Sequence, residues 1–146
     1  MAAPFAHELR VRYGECDPQG IVFNANYLLY FDVAFTEMWR AAVGPWGEMV
    51  EAGVDAVVAE SHLKYRAPAR FDDELRLELA VTRLGTTAVT TSIDVMRGDQ
   101  LLLEGWLRHV CVSTPTSADA IRKRPWPDDI RAGLERYVVQ SAGDAS

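Results

Sequence analysis

One long apolar segment, residues 25–43, limits the folds open to this chain more than any other feature of its sequence. Its apolar side chains recur at helical spacing and cover most of a helix circumference. They are Tyr27, Leu28, Leu29, Tyr30, Phe31, Val33, Ala34, Phe35, Met38, Trp39 and Ala42. A helix that is apolar nearly all round is usually buried on most sides. We expect Asn24 to be its N-cap and Gly44-Pro45 to end it.

The rest of the chain predicts mainly strands. Residues 8–13 alternate between polar and apolar before the helix, and residues 54–66, 74–83, 89–95 and 101–113 are strand-like after it. A helical turn is expected within 46–51 and a short helix within 125–139, while residues 141–146 are expected to fray. This order predicts one α+β domain, residues 1–146, with an antiparallel sheet wrapped around one long central helix.

One sheet cannot cover every side of such a helix. We therefore expect subunit association, as a dimer or a tetramer, and expect Trp39 and Trp106 to be partly exposed in a single chain. The net charge of −6 disfavours nucleic acid and anionic membranes as partners. The N-terminus does not resemble a signal peptide, and no apolar run is long enough to span a membrane, so a cytoplasmic protein is expected.

The cysteines and histidines exclude several kinds of site. Cys16 and Cys111 form no CxxC motif, so neither a disulfide framework nor a zinc site is indicated. The three histidines, at positions 7, 62 and 109, lack metal-ligand spacing, and we expect no metal and no cofactor. A Ser nucleophile in a GxSxG elbow is also absent from the sequence.

The candidate site lies between the first strand and the helix, in residues 13–27. Asp17 stands in an Asp-Pro-Gln-Gly turn, and the positive end of the helix follows. A carboxylate at that place could act on a carbonyl group polarised by the helix amides. The alternative is that Asp17 only stabilises the turn, because Asp before Pro is a common turn starter.

The motif that begins at Tyr13 and runs through Asn26 and Tyr27 resembles hotdog-fold acyl-CoA thioesterases of the 4-hydroxybenzoyl-CoA thioesterase type. Asp17, Gly20, Val22 and Tyr27 fit that pattern. The Gly-Pro-Trp corner at 44–46 and the segment 71–75 resemble the family too, though each is weak alone. The resemblance implies a hotdog fold and hydrolysis of an acyl-CoA.

The resemblance also implies roles for particular residues. Asp17 would be the catalytic carboxylate, as a nucleophile or as a general base, and the backbone amide around Asn24 would polarise the thioester carbonyl. Relatives often carry His or Tyr where this chain has Asn24, and an Asn side chain cannot be a general base. The substrate is expected to be a small acyl-CoA, with a benzoyl-type acyl group as one candidate.

Two sets of residues are candidates for binding the substrate. Gly20, Val22, Phe23, Tyr27 and Trp46 could line the acyl pocket, with Trp46 coming from the same or a neighbouring subunit. Core packing is as good an explanation for Tyr27, and packing in the core or at an interface is a better one for Trp46. Lys64, Arg66 and Arg70 could bind the CoA phosphates, with a solvated surface as the alternative. A second basic run lies at 121–125.

Two other functions fit the same sequence. A non-catalytic hotdog module could bind acyl-CoA or a related ligand as a sensor, although the presence of Asp17 argues against it. A hotdog hydratase would need a His/Asp pair, and no histidine lies near the Asp17 turn or along the helix.

Overall fold

The computed structural model describes residues 3–115 and 121–139 as one α+β arrangement. A single turn of 3-10 helix, Tyr13–Glu15, follows the first strand. The strands and helices, in chain order, are β1 (Phe5–Arg10), α1 (Asn26–Ala42), α2 (Trp46–Glu51), β2 (Val54–Tyr65), β3 (Glu74–Leu84), β4 (Ala88–Arg97), β5 (Gln100–Ser113) and α3 (Asp128–Glu135). The predicted fold class, a hotdog arrangement of one sheet around one long helix, is confirmed.

The five strands form one antiparallel sheet in the order β1-β3-β4-β5-β2, so β1 and β2 are its edges. On β3, Leu75, Leu77 and Leu79 are buried, and the charged residues between them face the other side. This two-residue alternation turns one sheet face toward α1. The face turned away from α1 is called the outer face below.

The helix α1 lies on the inner face and contributes several fully buried side chains to the core. They are Phe31, Ala34, Phe35, Met38 and Trp39. Gly105 on β5 allows this close packing, because a Cβ atom there would lie 2.2 Å from the carbonyl oxygen of His62 and 3.0 Å from the Phe31 ring. Within the described residues, no helix is both long and apolar enough to cross a membrane.

Several sequence expectations about this region were wrong. The first strand ends at Arg10, before the predicted limit of residue 13. Trp39 is fully buried, because the ring packs among other aromatic rings, whereas Trp106 is half-buried as expected. The frayed terminus predicted at 141–146 lies outside the described residues.

The predicted N-cap was also wrong. The helix begins at Asn26 with Ala25 as its N-cap residue, and no side chain caps it. Asn24 is exposed, and its backbone carbonyl accepts a hydrogen bond from the Tyr27 amide at 3.3 Å. The side chain of Asn26 instead donates to the Glu15 carbonyl at 2.8 Å, which ties the helix start to the 3-10 turn.

Candidate active site

Asp17 is half-buried in a tight turn that hydrogen bonds to itself. The Asp17 Oδ1 atom accepts from the Gln19 amide at 2.8 Å, and the Asp17 carbonyl accepts from the Gly20 amide at 2.9 Å. The Asp17 amide donates to the Ile21 carbonyl at 2.9 Å and closes the turn. Gly20 has a φ of +79°, a left-handed conformation that favours glycine. The turn therefore holds the carboxylate in one place, with its Oδ2 atom free of hydrogen bonds from the described residues.

This carboxylate opens onto a cleft of about 380 Å³. The cleft lies between the turn, the start of α1 and the end of β2. Its lining residues are Asp17, Gln19, Ile21, Val22, Asn24, Tyr27, Tyr65, Arg66, Ala67 and Pro68. Asp17, Val22, Asn24, Tyr27 and Arg66, all predicted site residues, are thus brought together in one chain.

The start of α1 leaves backbone donors beside the turn. The amides of Asn26, Tyr27 and Leu28 donate to the carbonyls three residues earlier. The amides of Asn24 and Ala25 donate to no group among the described residues. Free amides at a helix start carry a partial positive charge and suit an anionic oxygen. The role of the Asn24 backbone amide in polarising a carbonyl stays a prediction.

The aromatic lining comes from α1 and β2. Tyr27 is buried, and its hydroxyl accepts a hydrogen bond from the Ala69 amide at 3.3 Å. Burial raises the pKa of this hydroxyl, so Tyr27 is neutral at neutral pH. The Tyr65 ring packs edge-on against Tyr27, with 5.7 Å between ring centroids, and is half exposed. Tyr65 was not predicted to be a site residue, because a tyrosine at the end of a strand carries no signal of its neighbours.

Glu15 is a second residue near the site that was not predicted from the sequence. Its buried carboxylate accepts hydrogen bonds from the Arg12 amide and the Tyr30 hydroxyl, each at 2.8 Å, and from the Arg12 guanidinium. Burial acts to raise the pKa of Glu15, but these hydrogen bonds outweigh it and hold that pKa below its ordinary value. The Glu15 carbonyl also accepts from the Phe23 amide at 2.9 Å. Glu15 therefore links the segment before the Asp17 turn to the segment after it.

Three of the predicted acyl-pocket residues are absent from the lining of this cleft, and Gly20, which lies in the turn itself, is one of them. Phe23 is about half exposed and is absent from the cleft lining. Trp46 packs against Trp39 at 5.0 Å between ring centroids, and its Nε1 donates to Asp55 at 3.1 Å. Trp46 lines a separate cleft of about 310 Å³, together with Asp55 and His109. Within one chain Trp46 therefore cannot form the wall predicted for it, and a contribution from a neighbouring subunit stays a prediction.

The basic residues near the cleft differ in their surroundings. Arg66 lines the cleft, and its Nη2 donates to Glu104 Oε1 at 2.7 Å. This guanidinium holds the pKa of Glu104 below its ordinary value. Lys64 and Arg70 are exposed on either side of Arg66 along the chain and line no part of the cleft. Both cysteines are free thiols, and the described residues contain no cluster of side chains suited to a metal ion.

Comparison with known proteins decides the family. Residues 19–104 match the family described as the thioesterase superfamily. The chain belongs to this superfamily. This membership confirms the resemblance that residues 13–27 carry. It also confirms the prediction that the chain is a thioester-hydrolysing enzyme.

Individual relatives of this thioesterase cover most of its length. It is 34% identical to the acyl-CoA thioester hydrolase YbgC of Escherichia coli over 109 residues, and this alignment covers 74% of this chain and 81% of YbgC. It is 30% identical over 84 residues to the 4-hydroxybenzoyl-CoA thioesterase of a Pseudomonas species, 56% of this chain and 60% of that one. A crystal structure of a hypothetical protein from Thermus thermophilus superposes with a TM-score of 0.82 at 30% identity, covering 90% of this chain and 98% of that one.

Proposed function

We propose that this thioesterase hydrolyses a small acyl-CoA to a free acid and CoA in the Asp17 cleft. The observation that carries the proposal is the juxtaposition of one positioned carboxylate with amides at the start of α1 that donate to no group in the described part of the chain. The names of the relatives support the CoA thioester as substrate, since both act on acyl-CoA. Cytoplasmic localisation and the single-domain assignment stay predictions.

The chemistry needs little more than these groups. A thioester carbonyl is electrophilic, and a thiolate leaves without strong protonation. As a nucleophile, Asp17 would form a mixed anhydride and release CoA thiolate, and water would then cleave the anhydride to regenerate the carboxylate. As a general base, Asp17 would take a proton from the water that attacks the carbonyl. In both routes the amides of Asn24 and Ala25 would stabilise the negative charge on the carbonyl oxygen.

Arg66 is the best placed of the predicted CoA-binding residues, because it already lines the cleft. Its guanidinium can bind a phosphate oxygen through two N–H groups, although Glu104 competes for one of them. Lys64 and Arg70 would add positive charge at the surface on the way into the cleft. In a chain with a net charge of −6, such local cations are what would attract CoA.

The acyl group is proposed to be aromatic. Tyr27 and Tyr65 offer flat walls on one side of the cleft, and stacking against such walls is worth about 0.5–1.5 kcal/mol beyond area burial. The relative named as a 4-hydroxybenzoyl-CoA thioesterase supports the same class of substrate.

Benzoyl-type CoA esters should therefore be hydrolysed with a kcat/KM about tenfold higher than that of linear acyl-CoAs. Thiol release from benzoyl-, 4-hydroxybenzoyl-, acetyl- and hexanoyl-CoA would measure this preference. Clearly higher values for the linear esters would reject the aromatic pocket and leave thioester hydrolysis intact. Release of no thiol from any ester in the panel would instead favour a binding module.

We also propose that the working unit is a homo-oligomer. One side of α1 and the neighbouring edge strand β2 expose apolar side chains: Leu28, Leu29, Val33, Val58 and Tyr65. Exposed apolar side chains on neighbouring elements are typical of an interface, and the edge of a sheet is open to pairing with a second copy. Because Tyr65 also lines the cleft, this interface would border the active site.

Replacing Val33 with Asp should abolish this association, because a carboxylate would then be placed in an apolar interface. Light scattering at micromolar concentration should give at least twice the mass of one chain for the wild type and a smaller species for Val33→Asp. The matched control is Ala132→Asp, an exposed position on α3 outside the group of exposed apolar side chains on α1 and β2. A wild-type monomer that is fully active would contradict the proposal.

A further inference from the structure

Residues 15–23 form a short hairpin-like segment with Asp17 near its tip, and we call this segment the active-site arm. Near the tip, the Asp17 amide donates to the Ile21 carbonyl at 2.9 Å. At the other end, the Phe23 amide donates to the Glu15 carbonyl at 2.9 Å. Glu15 therefore lies at the base of the active-site arm, where the arm joins the rest of the chain.

The hydrogen bonds at the tip fix the Asp17 carboxylate only relative to the arm itself. Its partners, the amides of Gln19 and Gly20, belong to the same arm. The amides of Asn24 and Ala25, which have the proposed oxyanion role, follow the arm at the start of α1. Attack on a thioester requires the carboxylate and these amides at set positions relative to each other. Contacts between the arm and the helix must therefore set that geometry.

Glu15 makes such contacts through both its backbone and its side chain. Its carbonyl accepts a hydrogen bond at 2.8 Å from the side chain of Asn26, the first residue of α1. Its carboxylate accepts from the Tyr30 hydroxyl at 2.8 Å, one turn further along the helix. The same carboxylate accepts from the backbone amide and the guanidinium of Arg12. One residue thus connects the base of the arm to two successive turns of α1.

Burial makes this connection rigid. Glu15 is only 9% exposed and Tyr30 only 2% exposed. A buried carboxylate is costly unless it is hydrogen-bonded, and here both carboxylate oxygens of Glu15 have partners. The Tyr30 ring in turn packs edge-on against Tyr27, with 5.7 Å between ring centroids. The Glu15 side chain therefore has little freedom to move relative to α1.

The other side of the active-site arm has a separate attachment. The Val22 amide donates to the Ala69 carbonyl at 2.9 Å, in the segment between β2 and β3. This hydrogen bond should keep the arm on the body of the protein when the Glu15 side chain is changed. The effect expected from such a change is therefore a displacement of Asp17, with the fold retained.

We propose that Glu15 is a positioning residue, which holds the Asp17 carboxylate in its working place relative to the amides of Asn24 and Ala25. This inference rests on the proposed function of the Asp17 cleft. Glu15 does not line that cleft, so its effect on the reaction passes through the active-site arm. A misplacement of about 1 Å in an active site can lower the rate about a hundredfold.

Steady-state kinetics with the best of the four esters named above test this role. Glu15→Ala removes the side-chain bond to α1 and should lower kcat about thirtyfold, and Tyr30→Phe, which keeps the ring, should lower it about fivefold. KM should change by less than about twofold, because neither side chain lines the cleft. Glu15→Gln keeps an oxygen for the Tyr30 hydroxyl and should recover most of the rate. The matched control is Glu78→Ala, which removes a half-buried, ion-paired carboxylate from the outer face of β3 and should keep wild-type kinetics.

A double-mutant cycle separates positioning from a general loss of structure. If Glu15 acts through Asp17, adding Glu15→Ala to Asp17→Asn should lower the residual rate by less than about twofold, since no carboxylate remains to be positioned. A general structural effect would lower it by the full factor seen in Glu15→Ala alone. That additive result, or wild-type kcat in Glu15→Ala, would overturn the proposal. Tyr30→Phe provides the same cycle if circular dichroism shows that Glu15→Ala does not fold.

Amide hydrogen exchange gives a second readout that needs no substrate. In Tyr30→Phe the amides of Asp17 and Phe23, which close the arm, should exchange about tenfold faster than in the wild type, while the amides of β3 keep their rates. Unchanged exchange in the arm, or equally faster exchange in β3, would contradict the proposal. A wild-type chain that hydrolyses no ester would reject the proposed function, whereas the exchange rates would still decide whether the Glu15 and Tyr30 contact fixes the arm.

Discussion

Replacing Asp17 with Asn should lower the kcat for thioester hydrolysis by at least about a hundredfold, which corresponds to about 2.7 kcal/mol of transition-state stabilisation. The amide can neither attack the carbonyl nor accept a proton from water, so both proposed routes lose their reactive group. The fold should be unchanged. An Asn side chain keeps the oxygen that accepts from the Gln19 amide, and Asn suits the same kind of turn.

The experiment compares steady-state kinetics of Asp17→Asn and of a matched control, Asp99→Asn. Asp99 is exposed in the hairpin turn between β4 and β5, and its removal changes the net charge by the same amount. The control should retain wild-type kinetics, and the melting temperatures of both variants should stay close to that of the wild type. Near wild-type turnover by Asp17→Asn would reject the assignment of this carboxylate, whatever substrate is used.

The stability of the fold should fall as the pH is lowered from about 6.5 to about 4, because of His109. This side chain is buried on β5 and stacks on Phe35 with 3.8 Å between ring centroids. Its Nδ1 atom has no hydrogen-bond partner among the described residues. Burial lowers the pKa of His109 to about 4. The folded chain therefore keeps this imidazole neutral where the unfolded chain protonates it.

The direction of this pH dependence follows from the number of protons that each state binds. Between about pH 4 and 6.5 the unfolded state binds more protons than the folded state, so stability increases with pH in this window. The pKa difference corresponds to about 3 kcal/mol of folding stability. This contribution is fully present above the unfolded-state pKa and is lost as the pH falls toward about 4. Glu15 and Asp73 have lowered pKa values in the folded chain, so protonation of these carboxylates lowers the folding stability further at more acidic pH.

Urea unfolding at a series of pH values would measure this slope. His109→Phe keeps a flat ring against Phe35 and removes the titrating group, so the slope between pH 4 and 6.5 should become much shallower. Thr91→Val is the matched control: it changes a buried side chain of β4 that does not titrate, and it should keep the wild-type slope. An unchanged slope in His109→Phe would show that other groups cause the pH dependence.

The local elements of this fold were predictable from the sequence because they depend on periodicity. Helical spacing of apolar residues located α1 to within one residue of each end, and the alternation of leucines with charged residues located β3. The Asp-Pro-Gln-Gly turn identified Asp17 as the candidate carboxylate, since turn chemistry is set by neighbouring residues. The N-cap was missed because Asn26, which binds the carbonyl of Glu15, sets the start of the helix.

Only the tertiary structure decided which distant residues meet. Tyr65 lines the cleft because the end of β2 lies beside the start of α1. Glu15 links the two sides of the Asp17 turn because its carboxylate accepts a hydrogen bond from the Tyr30 hydroxyl, one turn into the helix. Trp46 packs against Trp39 and lines a different cleft from the one predicted, because α2 packs against the far end of α1. Local propensity reports on contacts a few residues apart, whereas a site and an interface are made by contacts between distant segments.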